Sequence, residues 1–134
     1  MHTLRSGSPF EELAAYSRAT RIGDFVAVSG TAATDANGVC VPTGDAGAQT
    51  REALRRALEA AAALGARRED VLRTRLYLLA GADWRAAVEA HGEAFTGINP
   101  ANTTLHVAEL IPKDCLVEVE LEAIASGPAA EDAA

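Results

Sequence analysis

The sequence predicts an α+β domain of order ββαβαββ, with two helices on one face of a sheet. Two observations on spacing carry this. Apolar or alternating runs at about residues 13–21, 24–30, 71–79, 103–110 and 115–125 have the two-residue period of strands. Two longer segments, about Asp45–Leu64 and Asp83–Phe95, repeat their apolar residues at helical spacing instead. The third observation is length. With 134 residues there is material for one domain around one core. Residues 1–126 are expected to form that domain, and the Gly-, Pro-, Ala- and acid-rich stretch 127–134 a mobile tail.

The elements follow in order. The run 13–21 leads through Gly23-Asp24 into Phe25–Gly30, an apolar strand that stops on Ser29-Gly30. A backbone without a side chain can approach a small ligand closely there. Thr34–Gly38 is turn chemistry, and Asn37-Gly38 is its sharpest signal. Asp45 is placed to cap the first helix and Gly65 to stop it. Its apolar stripe is Leu54, Ala57, Leu58, Ala61 and Leu64, while Arg51, Glu52, Arg55 and Glu59 lie mostly off it. Arg55 and Glu59 can pair at i,i+4. The second helix carries Trp84, Ala87, Val88, His91 and Phe95 on its stripe.

Face arithmetic makes the sheet unusual. On the last strand Val117, Val119, Leu121 and Ala123 share one face and Glu118, Glu120 and Glu122 the other. On the strand from Val71, Leu72, Thr74, Leu76 and Leu78 share one face; Arg73, Arg75 and Tyr77 share the other. With the aliphatic faces under the helices, the opposite face sets Arg and Tyr against Glu. Two readings stand: a solvated face with cross-strand ion pairs, or a polar, ligand-bearing surface closed by a neighbouring subunit.

Charge and composition exclude several classes. Twelve Lys and Arg against nineteen Asp and Glu give a net −7, which argues against nucleic acid or anionic membrane as partner. No run approaches the length of a membrane-spanning helix, and the start lacks an apolar signal core, so the expected compartment is the cytoplasm. Cys40 and Cys115 are read as two isolated structural cysteines in a reduced compartment. His91 reads as a core or helix-edge histidine and His106 as a strand histidine at the surface or toward a subunit interior. Neither belongs to a metal-ligand pattern, and there is no Gly-rich phosphate loop.

Several landmarks arrive in a telling order: Tyr16, Gly23-Asp24 and Ser29-Gly30, Asp45 with Gln49-Thr50, Gly65-Ala66, Asp70-Val71, Asp83-Trp84, the Pro100 segment, and Glu120–Ala125. Together, over about residues 13–125, they resemble the reactive intermediate deaminase (RidA/YjgF) family. The resemblance implies a chorismate-mutase-like domain, a homotrimer whose sheets surround a central barrel, and clefts between subunits that bind a small carboxylate-bearing molecule. It implies hydrolysis of reactive enamines and imines to a keto acid and ammonia, with no metal or organic cofactor. Carried over residue by residue, Glu120 matches the water-positioning carboxylate and Tyr16 the tyrosine at the pocket edge. Ser29, Gly30 and Thr31 match the strand end lining the pocket, and Thr104 a small polar position. Each has a plainer alternative: an ion-pair partner for Glu120, a half-buried strand aromatic for Tyr16, an ordinary strand exit or strand threonine for the others. The chain departs from the pattern at Pro100-Ala101-Asn102, where deaminating members carry Pro-x-Arg. Arginine there would clamp a substrate carboxylate in bidentate fashion; asparagine supplies no charge. Arg75 is a candidate relocated cation, or simply a partner for a glutamate. Two functions follow as expectations: an imine or enamine hydrolase whose substrate is not 2-aminoacrylate, or a ligand-binding or accessory protein that has lost chemistry. A specialised-pathway enzyme recruited from the same family is a third.

Overall fold

The computed structural model describes residues 1–128. Its elements are β1 (His2–Leu4), α1 (Pro9–Ala14), β2 (Ala19–Ile22), β3 (Phe25–Thr31), α2 (Ala46–Ala63), a 3₁₀ turn (Arg68–Asp70), β4 (Val71–Leu79), α3 (Trp84–Phe95), β5 (Ala101–Val107) and β6 (Val117–Ile124). The six strands form one sheet in the order β1-β2-β3-β6-β4-β5. Only the β4–β5 pair is parallel among these, and α3 makes the crossover between them.

The core lies between one sheet face and the two long helices. Val26 and Val28 of β3, Leu76 and Leu78 of β4, and Val117, Val119, Leu121 and Ala123 of β6 pack against Ala53, Leu54, Ala57, Ala61 and Leu64 of α2 and Ala87 and Phe95 of α3. Alanine on the helices keeps them close to the sheet, consistent with the low aromatic content. Asp45 caps α2 as expected, accepting from Ala48 N at 2.9 Å, and Asp83, read from sequence as the start of the second helix, caps α3 by accepting from Ala86 N at 3.1 Å. Trp84 departs from the predicted apolar stripe: it is 55% exposed, and Ala90 is buried in its helix instead.

Three further expectations are corrected. The segment read as a strand over 13–21 is a helix followed by a shorter strand. Ser8 caps α1 by accepting from Phe10 N at 3.3 Å, Pro9 opens it, and Ala15 ends it in the left-handed region at φ 56°. Glu11, fully buried, takes the Ser6 N–H at 3.0 and 3.2 Å and the Ser6 hydroxyl. Burial pushes its carboxyl up, but these bonds and the nearby Arg18 and Arg5 leave it below the ordinary range. Leu72 does not share the buried face with Thr74: a register shift between Val71 and Arg73 turns it out to 52% exposure. Cys40 and Cys115, both buried, form a disulfide with Cα atoms 4.8 Å apart across 75 residues. The pairing departs from the reduced state expected from sequence. It follows from a bridge between Val39 and Lys113, reinforced by Gln49. That buried amide donates to the Pro42 and Asp114 carbonyls at 2.9 and 3.1 Å and accepts from Leu116 N at 2.8 Å. At the end of the described residues the chain is hydrogen-bonded through Gly127. Gly127 N donates to Gly65 O at 3.2 Å, and Arg21 Nη1 donates to Gly127 O at 2.7 Å. The rest of the expected tail, 129–134, lies outside the described residues.

Candidate functional site

The sheet face turned away from α2 and α3 is polar because strand alternation sorts β4 and β6 as the sequence predicts. In the antiparallel register Arg73 faces Glu122, Arg75 faces Glu120 and Tyr77 faces Glu118. The side chains then choose diagonal partners. Tyr77 Oη donates to Glu120 Oε1 at 2.5 Å. Arg75 Nη1 donates to Glu122 Oε1 at 2.8 Å and lies 3.5 Å from Glu120 Oε1. The hydrogen bond to Glu120, then burial and the charge of that carboxylate, push the Tyr77 phenol up and keep it protonated. Arg75 is raised further, first by Glu122. Arg75 is thus engaged by glutamates within the same chain.

β3 brings its end beside β6. Val28 pairs with Leu121 and Thr31 with Val119, so Ser29 and Gly30 form an irregularity opposite Glu120. Ser29 Oγ donates to Ser17 O at 2.6 Å. Thr31 turns to the helix side, 3% exposed, and its hydroxyl donates to Ser29 O at 2.8 Å. It holds the irregularity in shape; it does not line the open face. Tyr16 follows the left-handed end of α1, half-buried, its N–H donating to Glu11 O at 3.1 Å. Near the same strand end Glu118 is desolvated, and burial pushes its carboxyl up against the pull of Arg18, with Glu120 adding to the rise.

Asn102 and Thr104 stand elsewhere within one chain. The parallel register pairs Asn102 with Thr74 and Thr104 with Leu76, placing both on the helix side of the edge strand. There a relay runs across three elements. Thr104 Oγ1 donates to Asn102 Oδ1 at 2.9 Å, and Asn102 Nδ2 donates to Thr74 Oγ1 at 3.0 Å. Thr74, fully buried, lies 2.7 Å from His91 Nε2. Burial holds His91 below its ordinary pKa, toward the neutral ring that accepts the Thr74 hydroxyl. His91 also packs on Phe95, ring centroids 4.7 Å apart, matching the helix-edge reading. The relay borders an open groove of about 520 Å³ lined by His91, Phe95, Thr96, Asn99 and Pro100. His106 is exposed, its Nε2 3.3 Å from Ala82 O.

The predicted site residues therefore divide. Glu120, Arg75, Ser29 and Gly30 gather on the open face; Asn102 and Thr104 sit on the other side of the sheet edge. Tyr77 and Glu118 are the additions. Sequence alternation placed both on this face, but their contacts depend on cross-strand register. Among the described residues no group of three or more His, Cys, Asp or Glu is arranged to hold a metal ion. No helix among them is long and apolar enough to cross a membrane.

Comparison with known proteins adds an independent line. A family model described as Endoribonuclease L-PSP matches residues 7–125. An uncharacterised protein of Streptomyces coelicolor is 40% identical over 120 residues, covering 90% of this chain and 89% of that protein. The 3-aminoacrylate deaminase RutC of Acinetobacter baylyi is 34% identical over 116 residues, covering 87% and 90%. Among solved structures, Rv2704 of Mycobacterium tuberculosis, a member of the YjgF/YER057c/UK114 family, superposes with a TM-score of 0.82 at 40% identity over 92% of this chain and 98% of that one.

Proposed function

The chain belongs to the endoribonuclease L-PSP family, which includes the YjgF proteins, and on that premise we propose that it is a cofactor-independent hydrolase of small imines or enamines, with a substrate other than 2-aminoacrylate. The observation that carries the reading is the Tyr77–Glu120 pair at 2.5 Å on the open face, beside the Ser29-Gly30 strand end. RutC, named a 3-aminoacrylate deaminase, acts on an enamine, and it aligns over most of this chain. In such a reaction a proton adds to the enamine carbon, giving an iminium; water adds to the iminium carbon and loses a proton. The C–N bond then breaks, leaving a carbonyl and ammonia. Glu120 is the base that takes the proton from water, and Tyr77, held protonated beside it, orients that carboxylate. Asn102, a neutral amide tied to Thr74 and Thr104, sets the substrate apart from 2-aminoacrylate. An RNA substrate fits poorly: a net −7 and three glutamates on the open face repel a phosphodiester chain.

We further propose that the open face is closed by assembly into a trimer. Phe25 and Ile124 pair at one end of it while 45% and 46% exposed, apolar surface that a neighbouring subunit would cover. The test is hydrolysis itself. Imines released in solution by an amino-acid oxidase are trapped with semicarbazide, and the protein is added as competitor, with 3-aminoacrylate among the enamines assayed directly. A fall in trapped imine, with ammonia released in step, is the expected result. Binding of the corresponding keto acids without turnover of any member of the panel would overturn it in favour of a ligand-binding protein. The engagement of Arg75 by Glu122 and the uncharged Asn102 are the observations on that side.

A further inference from the structure

Two charged side chains of opposite sign meet at Gly30. Arg18 stands just before β2, where its main chain extends the ladder. Its N–H donates to Leu4 O at 2.7 Å, and its carbonyl accepts from Ser29 N at 3.0 Å. Ala19, next along, is buried on the helix side, so alternation turns the Arg18 side chain to the open face. There Nη2 donates to the Gly30 carbonyl. From the opposite neighbouring strand, Glu118 of β6 reaches onto the same glycine. A Cβ at residue 30 would collide with a Glu118 carboxylate oxygen and stand 3.1 Å from its Cδ and 3.5 Å from its Cγ. The backbone at Gly30 is not left-handed, so it is this approach that leaves no room for a side chain there.

The cross-strand ladder does not draw Glu118 to this place. Its register partner is Tyr77, whose hydroxyl is given to Glu120 at 2.5 Å. Burial pushes the Glu118 carboxyl up, Arg18 pulls it down, and Glu120 adds to the rise. A desolvated carboxylate kept beside a guanidinium is an arrangement that functional sites favour. The other cations of the open face are engaged as well. Arg75 donates to Glu122 at 2.8 Å and lies 3.5 Å from Glu120. Arg73, opposite Glu122 in register, donates to Thr103 Oγ1 at 3.2 Å on the edge strand. An anion arriving at the strand end therefore meets a carboxylate already seated on Gly30, with Glu120 next to it along β6.

We propose that Glu118 is a specificity-determining residue of the open face: seated on Gly30 against Arg18, it disfavours ligands that bring a carboxylate of their own and leaves the place beside Glu120 to small imines without one. A neutral imine enters with Glu118 in place. A 2-imino acid enters only after Glu118 swings off Gly30, and it then brings a like charge toward Glu120. Protonation of the imine nitrogen during the reaction makes a cation, which the two carboxylates stabilise. The favoured substrates are imines left by oxidation of a primary amine, ahead of those left by oxidation of an amino acid. Naming imines as the ligands rests on the hydrolase reading. Discrimination against the carboxylate is measured by binding alone, so the two fail separately.

The test uses the full chain with pyruvate and pyruvamide as probes, two molecules of similar size that differ in charge. Affinities are measured by calorimetry on wild type, Glu118→Gln and Glu118→Ala. Glu118→Gln keeps the size of the side chain and removes its charge. The ratio of pyruvate affinity to pyruvamide affinity should rise at least about tenfold in that variant, near the low end of what two neighbouring like charges cost at a protein surface. Glu118→Ala should raise the ratio by at least as much, and it decides by the same criterion if Glu118→Gln does not fold. A smaller rise, or no pyruvate binding to either variant at millimolar concentration, would overturn the proposal. In turnover, wild type should favour the imine made by an amine oxidase over the one made by an amino-acid oxidase by at least about tenfold in kcat/KM. Glu118→Gln should narrow that preference by lowering KM for the imino acid. A wild-type preference for the imino acid, or a preference that Glu118→Gln leaves as it was, would overturn the proposal and leave the hydrolase reading standing. A raised affinity ratio with no imine of either kind turned over would sink only the hydrolase reading.

Discussion

Glu120→Gln separates a catalytic carboxylate from a structural one, and the structure sets both magnitudes. The amide oxygen can still accept from Tyr77, so the 2.5 Å contact keeps an acceptor. What is lost is the charge 3.5 Å from Arg75, in a pair whose side chains are about one-third exposed (32% and 31%). Pairs so exposed contribute about 0–1 kcal/mol. Arg75 also retains its closer partner, Glu122, at 2.8 Å. The melting temperature should therefore fall by no more than about 5 °C for a domain of this size. Activity should fall far more, because removing a positioned general base costs about 10²–10⁴-fold. The assay is the imine competition described above, run on wild type and variant at equal protein, with calorimetric melting and light scattering on the same samples. A loss under about threefold, equivalent to roughly 0.7 kcal/mol of barrier, would show that Glu120 is only an ion-pair partner. Dissociation of the assembly would instead make it an interface residue.

The other predictions read different parts of the molecule. Glu118→Gln should stabilise the protein at pH 7. The folded pKa of Glu118 is raised, so its stability contribution is complete below the unfolded value and is lost as pH rises through the folded one. The variant's advantage in urea midpoint should shrink toward pH 4, and an advantage that grows with acid would refute the assignment. Thr74→Val should lower stability by about 1–3 kcal/mol, since it removes the hydroxyl between Asn102 and His91 at a fully buried position. An unchanged urea midpoint would mean the relay contributes nothing. Reduction, or Cys40→Ser with Cys115→Ser, should cost about 2–4 kcal/mol, because the bond closes a loop across 75 residues; equal melting in both redox states would argue against the bond. Light scattering across micromolar concentrations should give a trimer, and a monomer throughout would remove the reason for placing the site between subunits.

Much of the fold was legible because its elements are periodic. Asp45, Asp83 and the alternation of β4 and β6 announce the two long helices and the two central strands from local spacing alone. The polar face was legible for the same reason: Glu118, Glu120 and Glu122 cannot all turn to one side unless their aliphatic neighbours turn to the other. Ser8-Pro9 with Glu11 carried an N-cap signal for α1 that the apolar run after it obscured. Leu72 was misplaced because a one-residue register shift is invisible to a period-two pattern.

What the tertiary structure decided are contacts between residues far apart in the chain. Periodicity orients a side chain relative to its own strand; only the register between strands gives it a neighbour. Hence Tyr77 meets Glu120 and Arg75 prefers Glu122, choices no alternation pattern contains. The parallel β4–β5 register places Asn102 beside Thr74, on the helix side and away from Glu120. The Cys40–Cys115 bond needs two loops joined through Gln49, and the convergence of Arg18 and Glu118 on Gly30 needs three strands at once. Local sequence determined which surfaces exist, because the cost of burying charge sorts each strand by itself. Which charges meet on them was decided by chain-distant packing, which no single segment encodes.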